Sequence, residues 1–194
     1  FSDEECITIY LWGMSQRRFE QRTIYDYTKN HLLDWFPNLP SYAAFSHRLN
    51  FLAPAFQALA EKWLSIVIER EAGNTTYIVD SCPIILAKGP RSGHAKVAGE
   101  LCEKSYNSSR KEWYYGVKLH AFVVRKTGHL PVPIALFLSG AAVHDLAAAK
   151  QILRNHRILS SGELYADKAY IDSEWADTLR NKSAILMLTP RKKR

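Results

Sequence analysis

Two short stretches carry carboxylates where carboxylates are costly. Residues 75–86 (TTYIVDSCPIIL) are β-branched or apolar on both sides of one acid, Asp80, the composition of a buried strand. An ionised carboxylate is expensive there unless something pairs with it. Two readings are open. Asp80 is a hydrogen-bonded structural aspartate at a strand end, or it is a ligand for a hard divalent cation, which prefers carboxylate oxygen. Residues 161–170 (SGELYADKAY) repeat the design: a turn, a short apolar strand, then Asp167. The two acids are 87 residues apart and meet only if a sheet sets their strands side by side. If it does, Asp80 and Asp167 form the core of a site for Mg²⁺ or Mn²⁺.

The elements that would position them can be read in order. Ser2-Asp3-Glu4-Glu5 has the form of a capping box and precedes an apolar stripe of Cys6, Ile7, Tyr10, Leu11 and Met14, which predicts a short amphipathic helix. A second helix is expected over 23–35. After a turn with Pro37 and Pro40, Ser41 is placed to cap a third. From Tyr42 to Ile66 the apolar spacing alternates three and four, and Pro54 in its midst predicts two helices or a sharp kink. Gly73-Asn74 stops the last helix. Residues 1–72 therefore read as a small helical N-terminal domain and residues 73–194 as a second domain.

In that second part, 113–124 and 130–138 read as a hairpin around Gly128. Between the first strand and this hairpin, residues 88–112 read as one long irregular loop. The loop holds six basic residues, Lys88, Arg91, Lys96, Lys104, Arg110 and Lys111, against Glu100, Glu103 and Glu112. Such a loop suits a phosphate backbone or is a solvated loop with no partner. Lys118 and His120 fall on one face of the hairpin by period two. They could reach a phosphate or neighbour the carboxylates, although a lone histidine on a strand is more often a hydrogen-bonded core residue. Asp145 is placed to cap a helix over 146–153. The strand ending at Asp167, a helix opened by Asp172 and a strand over 183–190 complete the order.

Composition narrows the class. Hydrophobic residues at 47% with 23% charged describe a globular chain rather than a disordered one. No apolar run approaches the roughly 18 residues of a membrane helix, so no membrane partner is expected. The start is acidic, unlike a signal peptide. Cys6, Cys82 and Cys102 are three isolated thiols, which argues for a reducing cytoplasm and against a zinc knuckle. The net charge of +7 is uneven: 7 Lys/Arg against 9 Asp/Glu in residues 1–72, and 19 against 10 in residues 73–194. A basic second domain suggests a polyanion partner. The chain opens at Phe1 without Met and stops in a basic tail, Arg191, Lys192, Lys193 and Arg194; it reads as a fragment cut at both ends.

Strand, hairpin, helix, strand, helix, strand is the ribonuclease-H-like order, an α/β mixed sheet with flanking helices. In that order the first and fourth strands are neighbours. Four segments then resemble a bacterial insertion-sequence transposase of the DDE type, closest to insertion-sequence family 982. They are Phe36-Pro37-x-Leu39-Pro40-Ser41-Tyr42-x-x-Phe45-x-x-Arg48-Leu49; Val79-Asp80-Ser81-x-Pro83-Ile84; Tyr115-Gly116-x-Lys118-Leu119-His120 with Gly128, Pro133 and His144-Asp145; and Ala166-Asp167-Lys168-Ala169-Tyr170.

The resemblance implies metal-dependent DNA cleavage and strand transfer at element ends, with Asp80 and Asp167 as catalytic metal ligands holding two Mg²⁺ ions about 3.5–4 Å apart. It implies double-stranded DNA as partner, held by Lys88, Arg91, Lys96, Arg110, Lys111, Lys118, Lys168, Arg191, Lys192 and Lys193. It also implies a homodimer on DNA and a nucleoid-associated place in a bacterial cytoplasm. Two departures stand out. The family usually has Gly where this chain has Ala169; a left-handed backbone there would cost about 1 kcal/mol. The third carboxylate, a helical Glu, is expected beyond residue 194, so the fragment alone is expected to be inactive. The alternatives are another ribonuclease-H-like nuclease and a catalytically dead DNA-binding remnant.

Overall fold

The computed structural model describes residues 1–70, 76–125, 127–155, 159 and 161–190. The expected basic tail, with Arg191, Lys192 and Lys193, lies outside the described residues. The chain divides into two compact units, Phe1–Trp63 and Leu64–Arg194, a division inside the fourth helix rather than after it at residue 72.

The first unit holds helices α1 (Asp3–Ser15), α2 (Gln21–His31) and α3 (Tyr42–Phe51) and the start of α4 (Ala53–Arg70). The capping box of α1 is complete, the Ser2 hydroxyl taking the Glu5 N–H while Glu5 takes the Ser2 N–H. Ser41 caps α3. Chain direction changes by 52° between α3 and α4, just before Pro54, which sits in the first turn where its missing donor is harmless. The core is Cys6, Ile9, Ile24, Tyr25, Phe45, Leu49 and Leu52. Gly13 lets α2 approach α1: a Cβ there would meet Ile24 at 2.6 Å. Helix α2 stops at His31, short of the expected Trp35, whose side chain is exposed. Among the described residues no single helix is long and apolar enough to cross a membrane.

The second unit is a six-stranded mixed sheet with helices. Its strands are β1 (Thr76–Lys88), β2 (Glu103–Asn107), β3 (Glu112–Val124), β4 (Val132–Gly140), β5 (Gly162–Ala166) and β6 (Ile185–Leu188); α5 (Asp145–Asn155) and α6 (Ser173–Ser183) are the crossovers. Strand β1 runs antiparallel to β3 and parallel to β5, and β5 is parallel to β6. Both β2 and β4 pair with the far edge of β3, β2 along 112–116 and β4 along 117–124. Without β2, the order β4-β3-β1-β5-β6 is the ribonuclease-H-like one. The core gathers Tyr77, Val79, Phe122, Val124, Ile134, Leu164, Trp175, Leu179 and Ile185.

Three expectations change. Residues 88–112 are not one irregular loop: they contain a short 3₁₀ turn (Gly89–Gly93) and β2. The sequence EKSYN is polar and does not alternate, so β2 owes its extended form to its ladder with β3. Strand β1 is not buried throughout, since beyond Val79 no residue of β1 pairs with β5. Pro83 lies on this stretch with one open side, where a missing donor is tolerated. Ala169 carries no left-handed strain; among described non-glycine residues only Arg17, Ala98, Lys111 and Ala184 have positive φ. Gly116, by contrast, is required: a Cβ there would meet the Ile84 carbonyl oxygen at 2.1 Å, at the point where the β1–β3 register shifts between Ile85 and Ala87.

His120 is a core residue, fully buried. Its Nε2 lies 2.8 Å from Ser139 Oγ, and that hydroxyl in turn donates to the Gly140 carbonyl. The network assigns the proton to Nε2 and leaves Nδ1 bare, without a partner among the described residues. Burial, the largest cause, holds the imidazole below its usual value of 6.5. The folded state therefore binds fewer protons than the unfolded one. His120's contribution to stability is complete above pH ~6.5 and is lost as pH falls from there toward the folded-state value. Thermal melts from pH 7.5 to 5.5 should show this loss, and it should be blunted in His120→Gln relative to wild type; identical slopes would contradict the assignment.

Candidate acidic site and its surroundings

The parallel ladder of β1 and β5 comprises Thr76↔Glu163, Tyr77↔Leu164, Ile78↔Tyr165 and Val79↔Ala166. The next residue on each strand is the candidate acid, Asp80 on β1 and Asp167 just past the end of β5. Adjacent strands lie about 4.8 Å apart, so the two aspartates follow the last pair on neighbouring strands. Both are exposed. Each has one oxygen engaged locally: Asp80 Oδ1 accepts the Ser81 N–H at 2.8 Å, and Asp167 Oδ1 accepts the Ala169 N–H at 2.7 Å. That second bond makes Asp167 the cap of a 3₁₀ turn over Lys168–Tyr170 and fixes its backbone.

Behind the pair stands Tyr170, 1% exposed. Its hydroxyl has no hydrogen-bond partner among the described residues. Burial pushes the phenol well above its usual value, and the carboxylates of Asp145, Asp80 and Asp167 add to that rise. The Ser81 side chain opposes the shift without reaching hydrogen-bond geometry. Nothing in sequence singled out Tyr170 or Asp145 as neighbours of the acidic pair.

Asp145 is not the cap of α5. It occupies the first helical position, while the His144 carbonyl accepts the Ala148 N–H and His144 Nδ1 accepts the Leu146 N–H at 3.3 Å. Asp145 instead receives Lys118 Nζ at 2.8 Å, and the same ammonium donates to the Val143 carbonyl at 2.7 Å. Their side chains are 16% and 21% exposed. Lys118, expected on phosphate, is thus engaged inside the protein, where it ties the segment before α5 to β3.

The other expected phosphate contacts fall on the surface. Lys88, Arg91, Lys96, Arg110, Lys111 and Lys168 are exposed, with Lys88 Nζ 3.9 Å from Glu112. Glu103 is occupied by structure: its Oε2 accepts the Ala142 N–H at 3.1 Å and packs where a Cβ on Gly140 would stand, 2.2 Å away. It closes the joint between β2 and β4. A cleft of about 670 Å³ between α5 and α6 is lined by Lys150, Glu174 and Lys182 among others and contains neither aspartate of the pair.

Two carboxylates on adjacent strand ends are a hard-oxygen donor set suited to Mg²⁺ or Mn²⁺. Among the described residues no group of three or more His, Cys, Asp or Glu gathers closely enough to hold a metal ion, so further donors would have to come from elsewhere.

The strand order is that of a ribonuclease-H-like mixed sheet with flanking helices. Residues 71–194 match the family described as the transposase DDE domain, and the chain belongs to that family. No curated protein matches significantly. Among solved structures, a piggyBac transposase in a synaptic complex with hairpin DNA is similar at 12% identity and a TM-score of 0.49, over 99% of this chain and 42% of that one. The chain therefore spans less than half the length of that transposase.

The ion pair has a measurable consequence. Lys118→Met strands a half-buried Asp145 carboxylate and should lower stability by about 2 kcal/mol. Combining it with Asp145→Leu should recover a large part of that loss. Denaturant melts of the two single variants and the double give the coupling, and purely additive losses would contradict the pair.

Proposed function

We propose that this chain is the catalytic part of an insertion-sequence transposase that cuts DNA at the ends of a mobile element and joins them to a target. Membership of the DDE transposase family supports the reaction class. The β1–β5 register, with an aspartate next after the last pair on each strand, is the observation that carries the assignment of Asp80 and Asp167 as its acidic residues. The finer assignment, to insertion-sequence family 982 and a bacterial host, rests on the four motifs. A homodimer on DNA and nucleoid association belong to the same reading.

In this proposal Asp80 and Asp167 would hold the divalent metal, which when bound supplies an activated oxygen nucleophile and stabilises the leaving oxygen. The protein's part is positioning. The Ser81 and Ala169 amides each hold one oxygen of an aspartate, leaving the other for ligation. Buried Tyr170 fills the space behind them and excludes water. Exposed Lys168 beside Asp167, with Lys88, Arg91, Lys96, Arg110, Lys111 and the tail residues Arg191, Lys192 and Lys193, would contact phosphates and make binding salt-dependent. Lys118 leaves this set and takes a structural role.

The test uses the full-length protein. Asp80→Asn or Asp167→Asn should abolish strand cleavage and strand transfer while DNA affinity stays close to wild type. Cleavage retained by either variant sinks the assignment. Cleavage of RNA hybrids in preference to DNA ends would favour the other ribonuclease-H-like nuclease.

A further inference from the structure

The β2–β3 hairpin is larger than sheet closure needs. The last β1–β3 pair is Lys88↔Tyr114, while β2 and β3 continue to Tyr106↔Trp113 and Asn107↔Glu112. The hairpin's end is thus a two-stranded ribbon reaching past the sheet. It carries the cross-strand aromatic pair Tyr106–Trp113, ring centroids 5.3 Å apart, and both rings are about half exposed, at 48% and 53%. Lys104 Nζ sits 5.1 Å from the Trp113 ring centroid. At the tip, Asn107 Oδ1 accepts the Arg110 N–H at 3.1 Å, and Lys111 takes a positive φ of 53°. The turn is therefore ordered, with Arg110 and Lys111 exposed on it.

The charge on this ribbon is one-sided. Its two acids are both engaged, Glu103 by the Ala142 amide and Glu112 near Lys88. Lys104, Arg110 and Lys111 are exposed, and Lys104 lies over the Trp113 ring. An aromatic pair of this kind also helps hold a hairpin together, but stapling alone explains neither the half-exposed rings nor the Lys104 cation over one of them. Cations close to half-exposed aromatic rings complement a polyanion that presents flat faces of its own. In a duplex the base faces are hidden by stacking; in unpaired DNA they are free.

We propose that the β2–β3 hairpin is a stacking platform for unpaired DNA bases, with Trp113 and Tyr106 taking base faces and Lys104, Arg110 and Lys111 holding the flanking phosphates. The inference rests on the DNA-acting reading above and adds to it a preference for a locally melted strand. By the period of two along β3, Trp113 lies on the same face as Ala121, the partner of Asp80. Eight residues of strand separate them, roughly 27 Å. A strand held on the hairpin would therefore be engaged roughly 27 Å from the acidic pair.

Fluorescence anisotropy on this chain, without added metal, tests the platform with a labelled single-stranded oligonucleotide and its duplex. Trp113→Leu and Tyr106→Leu should each weaken single-strand binding about tenfold and leave duplex binding nearly unchanged. Trp113→Phe, which keeps a ring, should retain most of the affinity, a pattern that a merely stapling role would not produce. Unchanged single-strand affinity in both leucine variants, or a parallel loss for both forms of DNA, overturns the platform while leaving the transposase reading intact. A wild-type chain that binds neither form overturns both.

Discussion

The site depends on one short parallel ladder, the pairing of β1 with β5 that ends at Val79↔Ala166. Side chains alternate along a strand, so a slip of one residue would send Tyr77 and Val79 out of the core and bury their neighbours. Tyr77, Val79 and Leu164 are all at or below 4% exposure, and their burial pins the register. Asp80 and Asp167 are held next to this ladder by the apolar residues that precede them. The acids themselves are exposed and contribute little to the packing that positions them.

The rest of the second unit serves that ladder. Strand β3 is shared between β1 on one side and β4 and β2 in succession on the other. Gly116 lies at the changeover, where the backbone of β1 comes too close for any side chain, and Glu103 closes the joint between β2 and β4. On the helical side, Lys118 reaches from β3 to Asp145 and Val143 and fixes where α5 begins. Asp172 does similar work for α6: it caps Trp175 and takes Lys150 at 2.8 Å, and that lysine holds its carboxyl below the usual range. Ion pairs and caps set the crossovers; apolar alternation sets the sheet.

Much of this was legible in the residues themselves. Apolar runs bounded by turns marked β3, β4 and β5, capping residues marked α1 and α3, and the strand–hairpin–helix–strand order of the second unit was enough to expect β1 beside β5. What escaped was whatever depends on a partner distant in sequence. The polar β2 has no strand signature of its own and exists through its ladder. Lys118 looked like a phosphate contact because nothing local announces an acid 27 residues later. Asp145 had the type and position of a cap, but the neighbouring His144 fills that role. The Tyr106–Trp113 pair required the hairpin register, and Tyr170 behind the acids was simply the tyrosine that closes a motif. Local chemistry is written along the chain; neutralisation and pairing across it are not.

The central claim is that Asp80 and Asp167 together bind divalent metal. Calorimetric titration of this chain with Mn²⁺ or Mg²⁺, beside the double variant Asp80→Asn/Asp167→Asn, tests it most directly. The account predicts saturable binding in the wild type that vanishes in the variant, with both proteins melting alike in the presence of chelator. Equal binding by both proteins would mean that the metal sits elsewhere, and would reduce the two aspartates to structural ends of their strands.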